Sequence, residues 1–255
     1  MILLLDVGNT HTHVGLGGPR SLRTLGDIPT SAWSDGSAAT LIDALLPRRG
    51  PDGLCFCSVV PKVNPLLDEW SRARLGITPL QLTPRTLRGV GIDYPRPETI
   101  GQDRLANAVA AHHHHGAPAL VVDFGTAVTF DVVDRRGNYV GGIIAPGLSA
   151  MTDYLHEKTA LLPRIRIRDP RRVVGRNTEE AMLSGAVFGY RGLVRGLIID
   201  LRRELGVRRL PVVATGGYAR LIAKGLPEID TVAPGFTLEG LRLTALAHCG
   251  TPLPG

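Results

Sequence analysis

Two Asp-x-Gly turns carry side chains suited to binding a polyphosphate. The first turn reads Asp6-Val7-Gly8-Asn9-Thr10 and the second reads Asp123-Phe124-Gly125-Thr126. A glycine in a tight turn lets main-chain N–H groups approach a phosphate, and nearby Asn and Thr side chains add neutral donors. A carboxylate repels phosphate, so Asp6 is expected to act through magnesium, held by way of water. The two turns therefore predict a nucleotide-phosphate site.

A neighbouring carboxylate and guanidinium, Asp103 and Arg104, have the residue types that an alcohol phosphotransferase needs. Such a reaction depends on positioning and charge neutralisation, with one carboxylate that orients the hydroxyl and accepts its proton. The apolar spacing predicts a helix from Ile100 to His115, and the helix dipole would keep Asp103 ionised. Arg104 offers a fixed cation for an acidic substrate. The same pair is also typical of an ordinary helix start on a protein surface.

Each Asp-x-Gly turn lies between two predicted strands. The apolar runs Ile2–Leu5 and Ala119–Val122 precede the turns, and a returning strand follows each of them. This order excludes a nucleotide-binding βαβ opening, in which a helix follows the glycine loop. The repeat predicts an α/β chain of two duplicated domains, residues 1–116 and 117–255, with a nucleotide cleft between them.

Three further patterns concern the second half of the chain. Asn177 with Glu180 forms a capping-box pattern for a long helix that reaches about Glu204. Glycines repeat within that helix, which is tolerable where another backbone comes close, so they predict a packing seam within the domain or across a homodimer. Arg alternates with Ile from Arg164 to Arg168, which predicts an edge strand with one solvated face.

Composition limits the classes of partner. No apolar run approaches the roughly 18 residues of a membrane span, and Met1–Leu5 is predicted to be a first strand rather than a signal peptide. The net charge of +6 suits an anionic ligand. Nucleic acid is disfavoured because no aromatic residues interleave with the arginines between Arg164 and Arg176. Cys55 and Cys57 are predicted to be reduced core thiols, so we expect a cytoplasmic protein without membrane or nucleic-acid partners.

Four consecutive histidines, His112 to His115, lie at the end of the predicted helix. Consecutive helical residues point about 100° apart, so only the first and last of them share a face. A solvated helix end that complements the dipole is therefore favoured over a metal site.

Four motifs in fixed order carry a resemblance to a known family. They are the Asp6 turn, Gly101-x-Asp103-Arg104 followed by Asn107-Ala108, the Asp123 turn extended by Ala127, and Asn177-Thr178. In these the chain resembles the type III pantothenate kinases, within the actin and sugar-kinase superfamily of duplicated ribonuclease-H-like domains. The resemblance implies transfer of the γ-phosphate of ATP to pantothenate. The product would be 4'-phosphopantothenate, in the first step of coenzyme A biosynthesis.

The resemblance also implies a role for individual residues. Asp103 would be the catalytic base, and Asp123 would hold a monovalent cation, potassium or ammonium. The ATP phosphates would be bound by Asp6, Val7, Gly8, Asn9, Thr10, His11, Thr12, His13 and Thr126. Pantothenate would be bound by Tyr94, Gly101, Gln102, Asp103, Arg104 and, from the partner subunit of a homodimer, Thr178.

Two positions depart from the family pattern, and two other functions stay open. Gln102 stands where a small residue is expected, and Tyr218 stands where a third glycine often follows Gly216 and Gly217. One alternative is another small-molecule kinase of the same superfamily, which need not carry the Gly101-x-Asp103-Arg104 motif. The other alternative is a non-enzymatic ATP-binding regulator, for which Asp103 would be dispensable.

Overall fold

The structure, a computed structural model, describes residues 1–250 of the chain. They divide into two compact units. Unit 1 comprises residues 1–117, residues 135–140 and the chain from Gly235 onward. Unit 2 comprises residues 118–134 and 141–234.

Strands and helices alternate along much of the chain. The strands are β1 (Ile2–Val7), β2 (His11–Gly17), β3 (Leu22–Pro29), β4 (Gly53–Ser58), β5 (Leu80–Gln81), β6 (Gly91–Ile92), β7 (Ala119–Phe124), β8 (Ala127–Val133), β9 (Asn138–Pro146), β10 (Val212–Thr215) and β11 (Thr231–Val232). The helices are α1 (Ala32–Asp35), α2 (Ala38–Leu45), α3 (Asn64–Trp70), α4 (Gln102–His115), α5 (Leu148–Lys158), α6 (Thr178–Ser184), α7 (Tyr190–Glu204), α8 (Ala219–Ala223) and α9 (Phe236–His248).

The sheet of unit 1 has the strand order β3-β2-β1-β4-β5. β1 runs antiparallel to β2 and parallel to β4, so residues at the end of β1 have neighbours on both sides. The apolar residues of β1 and β4 are buried, among them Leu3, Leu5 and Phe56. Such continuous apolar runs are typical of strands covered on both faces. The buried sheet therefore fixes the polar residues that follow β1.

Unit 2 repeats this topology. Its strand order β11-β10-β7-β8-β9 is that of unit 1 read in reverse, with β7 antiparallel to β8 and parallel to β10. Asp6 lies beside Cys57 in the register of unit 1, and Asp123 lies beside Thr215 in the register of unit 2. The predicted duplication of an α/β fold is therefore confirmed, and the two Asp-x-Gly turns occupy equivalent places.

The last helix, α9, packs against α4 within unit 1. A Cβ at Gly240 would collide with the carbonyl of Ala106, so glycine allows the two helices a very close approach. The Thr237 hydroxyl donates to Asn107 Oδ1 at 3.0 Å across the same contact. The predicted domains, residues 1–116 and 117–255, divide the chain at one point. The two compact units instead are each assembled from separate stretches of the chain. Both α9 and residues 135–140 belong to unit 1.

Several predicted elements are present and one is wrong. The predicted cap exists, with the Glu180 N–H donating to Asn177 Oδ1 at 2.8 Å, and α7 ends at Glu204 as predicted. The predicted edge strand from Arg164 to Arg168 is wrong, because this segment pairs with no strand among residues 1–250. Alternation alone does not make a strand without a neighbouring edge to pair with.

One continuous helical span, Thr178–Glu204, is long and apolar enough to cross a membrane by length and composition. Half of its most apolar window is buried within the structure. Its buried apolar residues are spaced as on one helix face: Met182, Leu183, Ala186, Val187, Tyr190, Val194, Ile198 and Leu201. Core helices have the same pattern, so this span is weak evidence for a membrane segment.

Candidate active site

Asp6 lies at the end of β1 between two polar neighbours in the sheet. The Cys57 thiol on β4 donates to Asp6 Oδ1 at 3.3 Å, and His13 on β2 is the register partner on the other side. Burial raises the pKa of Asp6 to about 6, opposed by the His13 charge and reinforced by nearby Asp103. Little positive charge compensates the buried carboxylate of Asp6, so a bound cation would stabilise its ionised form. An oxygen ligand of this kind suits magnesium.

His13 is held by a second carboxylate. Its Nδ1 lies 2.6 Å from Asp27 Oδ1 on β3, and the two residues are register partners. Asp27, His13, Asp6 and Cys57 therefore form one row across four adjacent strands. This pairing orients the His13 ring beside Asp6, at the end of β1 where the first Asp-x-Gly turn begins.

The turn after β1 is tight and exposes its tip. The Gly8 N–H donates to the His11 carbonyl at 3.0 Å, which closes the turn. A Cβ at Gly8 would lie 3.0 Å from the same carbonyl oxygen, so a larger residue would crowd it. Asn9, Thr10 and His11 are exposed at the tip. This is the arrangement predicted for a loop that offers donors to phosphate.

Two residues beside this turn that were predicted to bind ATP have side chains that point into the protein. Val7 and Thr12 are fully buried. The Thr12 hydroxyl lies 3.2 Å from the Thr30 hydroxyl and accepts from Trp33 Nε1 at 3.2 Å. Contact between a phosphate and either residue would therefore have to come from the main chain.

Asp103 lies in the first turn of α4, next to Gly101 at the N-cap. The Arg104 N–H donates to Asp103 Oδ1 at 2.8 Å. A Cβ at Gly101 would come within 2.6 Å of the same oxygen, so glycine leaves room for this carboxylate orientation. Burial raises the pKa of Asp103, partly offset by the Arg104 N–H and charge. A partly desolvated carboxylate is a stronger proton acceptor than an exposed one, as a general base requires.

Arg104 belongs to an aromatic cluster in unit 1. Its guanidinium lies over the Tyr139 ring at 5.7 Å from the centroid, within cation–π range. The ring of Tyr94 lies 6.2 Å from that of Tyr139. Tyr139, at the start of β9, was not predicted as a site residue. Nothing in the sequence around it indicates a binding residue. The structure thus brings Tyr94 and Arg104, both predicted to bind substrate, to one aromatic residue.

Gln102 connects the start of α4 to the sheet. Its Oε1 accepts from the Ser58 N–H at 3.0 Å and from Gln81 Nε2 at 3.2 Å. Ser58 ends β4 and Gln81 ends β5, so this side chain fixes the helix that carries Asp103 to both strands. A substrate contact through Gln102 Oε1 would compete with these two hydrogen bonds.

The second Asp-x-Gly turn in unit 2 is built from close glycine contacts. The Gly125 N–H donates to the Ala127 carbonyl at 3.0 Å, and the Gly147 N–H donates to the Thr126 carbonyl at 3.2 Å. Gly216 has a φ of +88°, and a Cβ there would lie 2.5 Å from Asp123 Oδ1. Gly125 and Thr126 are exposed. Glycine at position 216 therefore leaves room for the Asp123 carboxylate beside the second turn.

Two other predicted positions lie elsewhere in unit 2. Thr178 is the exposed first residue of α6, directly after the Asn177 cap. The Tyr218 N–H donates to the Phe124 carbonyl at 3.5 Å, so the third residue after β10 supports the second turn through its main chain.

The histidine run forms structural contacts. His112 Nδ1 lies 2.7 Å from the Gly89 carbonyl, and His114 Nε2 lies 2.8 Å from Glu239 Oε1 on α9. Among the residues that the structure describes, no three His, Cys, Asp or Glu side chains are grouped to hold a metal ion. The run thus links the end of α4 to its neighbours.

Known structures share the fold at low sequence identity. A Campylobacter jejuni protein described as a Baf family transcriptional activator superposes with a TM-score of 0.61 at 18% identity, over 97% of this chain and 99% of that one. A Sinorhizobium meliloti protein described as a 2-dehydro-3-deoxygalactonokinase superposes with a TM-score of 0.52 at 14% identity, over 97% and 99%. These likenesses establish the duplicated α/β architecture alone.

Sequence comparison is more specific. The profile of the type III pantothenate kinase family matches residues 2–200. A type III pantothenate kinase of Akkermansia muciniphila is 49% identical over 247 residues, covering 95% of this chain and 97% of that protein. The match spans both Asp-x-Gly turns and the Asp103 helix. The chain therefore belongs to the type III pantothenate kinase family, whose members are ATP-dependent kinases.

Proposed function

We propose that this pantothenate kinase transfers the γ-phosphate of ATP to the primary hydroxyl of pantothenate with Asp103 as the general base, in the cytoplasm. The observation that supports this assignment is the partly buried carboxylate of Asp103 at the start of α4. Burial raises the pKa of this carboxylate, and the Arg104 N–H orients it. Among the charged residues of unit 1, Asp103 is close enough to Asp6 to raise its pKa. The base and the phosphate loop therefore act in one region of unit 1.

The proposed reaction needs one proton acceptor and several fixed donors. Asp103 orients the pantothenate hydroxyl and accepts its proton as the new oxygen–phosphorus bond forms and the bond to the ADP leaving group breaks. Arg104, held over Tyr139, pairs with the pantothenate carboxylate. Tyr94, Gly101 and Gln102 complete the pantothenate contacts. The exposed tip of the first turn, with His13 beside it, binds the phosphates of ATP.

Two cations are proposed to complete the site. Asp6 would hold magnesium through water, and this is supported by the burial of its carboxylate, whose pKa the charge of Asp103 also raises. Asp123 would hold potassium or ammonium, and this is supported by Gly216, where any Cβ would lie 2.5 Å from Asp123 Oδ1 and fill the space beside the carboxylate. When bound, the cations neutralise negative charge on the phosphate groups.

A homodimer is proposed because the described residues, 1–250, leave an apolar face of unit 2 exposed. A groove of about 740 Å³ lies between α5 and α6, with Pro146, Ala150, Met151, Tyr154, Leu155, Met182 and Gly185 along its walls. Tyr154 is 61% exposed and nearby Ile144 is 64% exposed. Exposed apolar patches of this kind mark interaction sites. A second copy of the chain would bury the groove and bring the partner subunit's Thr178 to pantothenate.

The repeated glycines of the Thr178–Glu204 span favour a packing seam between two subunits over one within the domain. No atom from elsewhere in residues 1–250 lies within 4 Å of a Cβ built at Gly185, Gly189, Gly192 or Gly196. A close backbone neighbour within the domain is therefore excluded for these positions. Gly185 lines the groove itself, so a partner subunit could approach there.

Tyr154→Glu is expected to produce a folded monomer with low pantothenate kinase activity. A carboxylate in the middle of an apolar interface has no partner there and would have to be desolvated on association. Sedimentation velocity and a coupled ADP-release assay measure the two effects. Leu66→Glu, at an exposed residue on α3 in unit 1, away from both the groove and the repeated glycines, is the matched control and should remain dimeric. An active monomer would refute the contribution of Thr178 from a partner.

The reaction itself is tested by ADP release from purified protein with ATP, magnesium and pantothenate. Turnover should depend on pantothenate, cease when EDTA removes magnesium, and rise when sodium is replaced by potassium or ammonium. Equal rates in sodium and potassium would remove the role given to Asp123. Turnover with other hydroxyl acids but not with pantothenate would indicate a different kinase of the superfamily.

A further inference from the structure

A chain of buried hydrogen bonds ends at the carbonyl of Gly8. Trp33 Nε1 donates to Thr12 Oγ1 at 3.2 Å, and Thr12 Oγ1 lies 3.2 Å from Thr30 Oγ1. The Thr30 hydroxyl donates to the Gly8 carbonyl at 2.7 Å. All four residues belong to unit 1. The chain thus connects the core around Trp33 to the first Asp-x-Gly turn.

The direction of every bond in this chain is determined. An indole N–H only donates and a carbonyl only accepts, while each hydroxyl has one proton to give. Because the proton of Thr30 goes to the Gly8 carbonyl, the proton of Thr12 must go to Thr30. Thr12 in turn accepts from Trp33. Every donor in the chain therefore points toward the phosphate loop.

Thr30 fixes the turn at two points. Its main-chain N–H donates to the Thr10 carbonyl at 3.0 Å, in addition to the hydroxyl bond to Gly8. The turn is also closed by the Gly8 N–H bond to His11. Carbonyls on both sides of exposed Asn9 thus receive their hydrogen bonds from one residue.

Water has little access to this chain. Thr12 is 0% exposed, and Thr30 and Trp33 are each 5% exposed. Trp33 also packs edge-on against Trp70, with 5.6 Å between the ring centroids. A missing bond would therefore leave a buried polar group unsatisfied instead of being replaced by solvent.

We propose that Thr30 is a positioning residue that holds the Gly8–Thr10 turn in the conformation that binds the phosphates of ATP, through a hydrogen-bond chain anchored at Trp33. The inference rests on the proposed role of that turn in ATP binding. Thr30 itself makes no contact with substrate in this arrangement, since its hydroxyl is committed to Gly8. Its effect is therefore expected on ATP and not on pantothenate.

Thr30→Val keeps the shape of the side chain and removes the hydroxyl. We expect the KM for ATP to rise about tenfold, the effect of one lost buried hydrogen bond, with the KM for pantothenate unchanged. Thr30→Ser restores the donor and should return the KM for ATP to within about twofold of the starting protein. Trp33→Phe leaves the bonds between Thr12, Thr30 and Gly8 intact, so its effect on the KM for ATP should be smaller than that of Thr30→Val.

Controls separate failure of the inference from failure of the proposed loop role. Asn9→Ala, at the tip, should raise the KM for ATP, and an unchanged value would remove the ATP-binding role of the turn itself. If Asn9→Ala has its effect while folded Thr30→Val has a normal KM for ATP, the positioning role is overturned. If Thr30→Val does not fold, Thr30→Ala takes its place, because it also removes the hydroxyl that donates to the Gly8 carbonyl. An unchanged KM for ATP in that variant would equally overturn the proposal.

Discussion

The Asp103→Asn variant is expected to retain ATP binding and to lose turnover by a factor of about 10³, within the range that general bases contribute. The amide has nearly the same shape, and its oxygen can still accept from the Arg104 N–H. It cannot accept the proton of the substrate hydroxyl. Steady-state ADP release at saturating ATP and pantothenate measures kcat, and nucleotide binding is measured separately by calorimetry.

The pH dependence gives a second readout for Asp103. Burial raises its pKa, and a base works only when ionised, so wild-type turnover should fall as the pH drops through that raised value. In the residual activity of Asp103→Asn, only the fall caused by protonation of Asp6, whose pKa burial raises to about 6, should remain. Asp68→Asn changes a carboxylate in a surface ion pair with Arg72 and serves as the matched control with normal activity. Near-normal turnover in Asp103→Asn would contradict the assignment of the base.

Asp6→Asn is expected to make the protein more stable and much less active. Burial raises the pKa of Asp6 to about 6, so the ionised carboxylate is destabilising in the folded protein above that pH. The shift corresponds to about 2–3 kcal/mol, which the neutral amide should recover at pH 7.5. Activity should fall by at least about 100-fold, since an amide no longer supplies the charge that holds magnesium.

The sign of the stability effect is set by proton uptake. Between pH 4 and 6 the folded protein holds a proton on Asp6 that the unfolded chain has lost, so stability falls as the pH rises through this range. Urea unfolding without nucleotide or magnesium should therefore separate Asp6→Asn from the wild type at pH 7.5 and bring them together near pH 4. A variant that is less stable at pH 7.5 would show that Asp6 contributes favourable contacts instead of an uncompensated charge.

Local sequence signals determined much of the active site. The two Asp-x-Gly turns, the start of α4 at Gln102 and the Asn177 cap depend on residues close together in the chain. Turn chemistry, helix caps and apolar periodicity are short-range properties, so they can be recognised without knowing how the chain folds back. The duplication followed from the same signals occurring twice. The edge strand predicted over Arg164–Arg168 had a local pattern but no pairing partner.

Only the tertiary structure decided which distant residues support these motifs. Gln102 is bound to Ser58 and Gln81, the Gly8 turn is held by Thr30, and α9 returns to α4 in unit 1. Each contact joins residues far apart in sequence, and its geometry depends on strand order and helix packing. By itself the sequence determined the residue types and turns that we propose to bind phosphate, because those are local. Burial, which raises the pKa of Asp6 and Asp103 and isolates the Thr30 chain from water, arises only when the whole unit is packed.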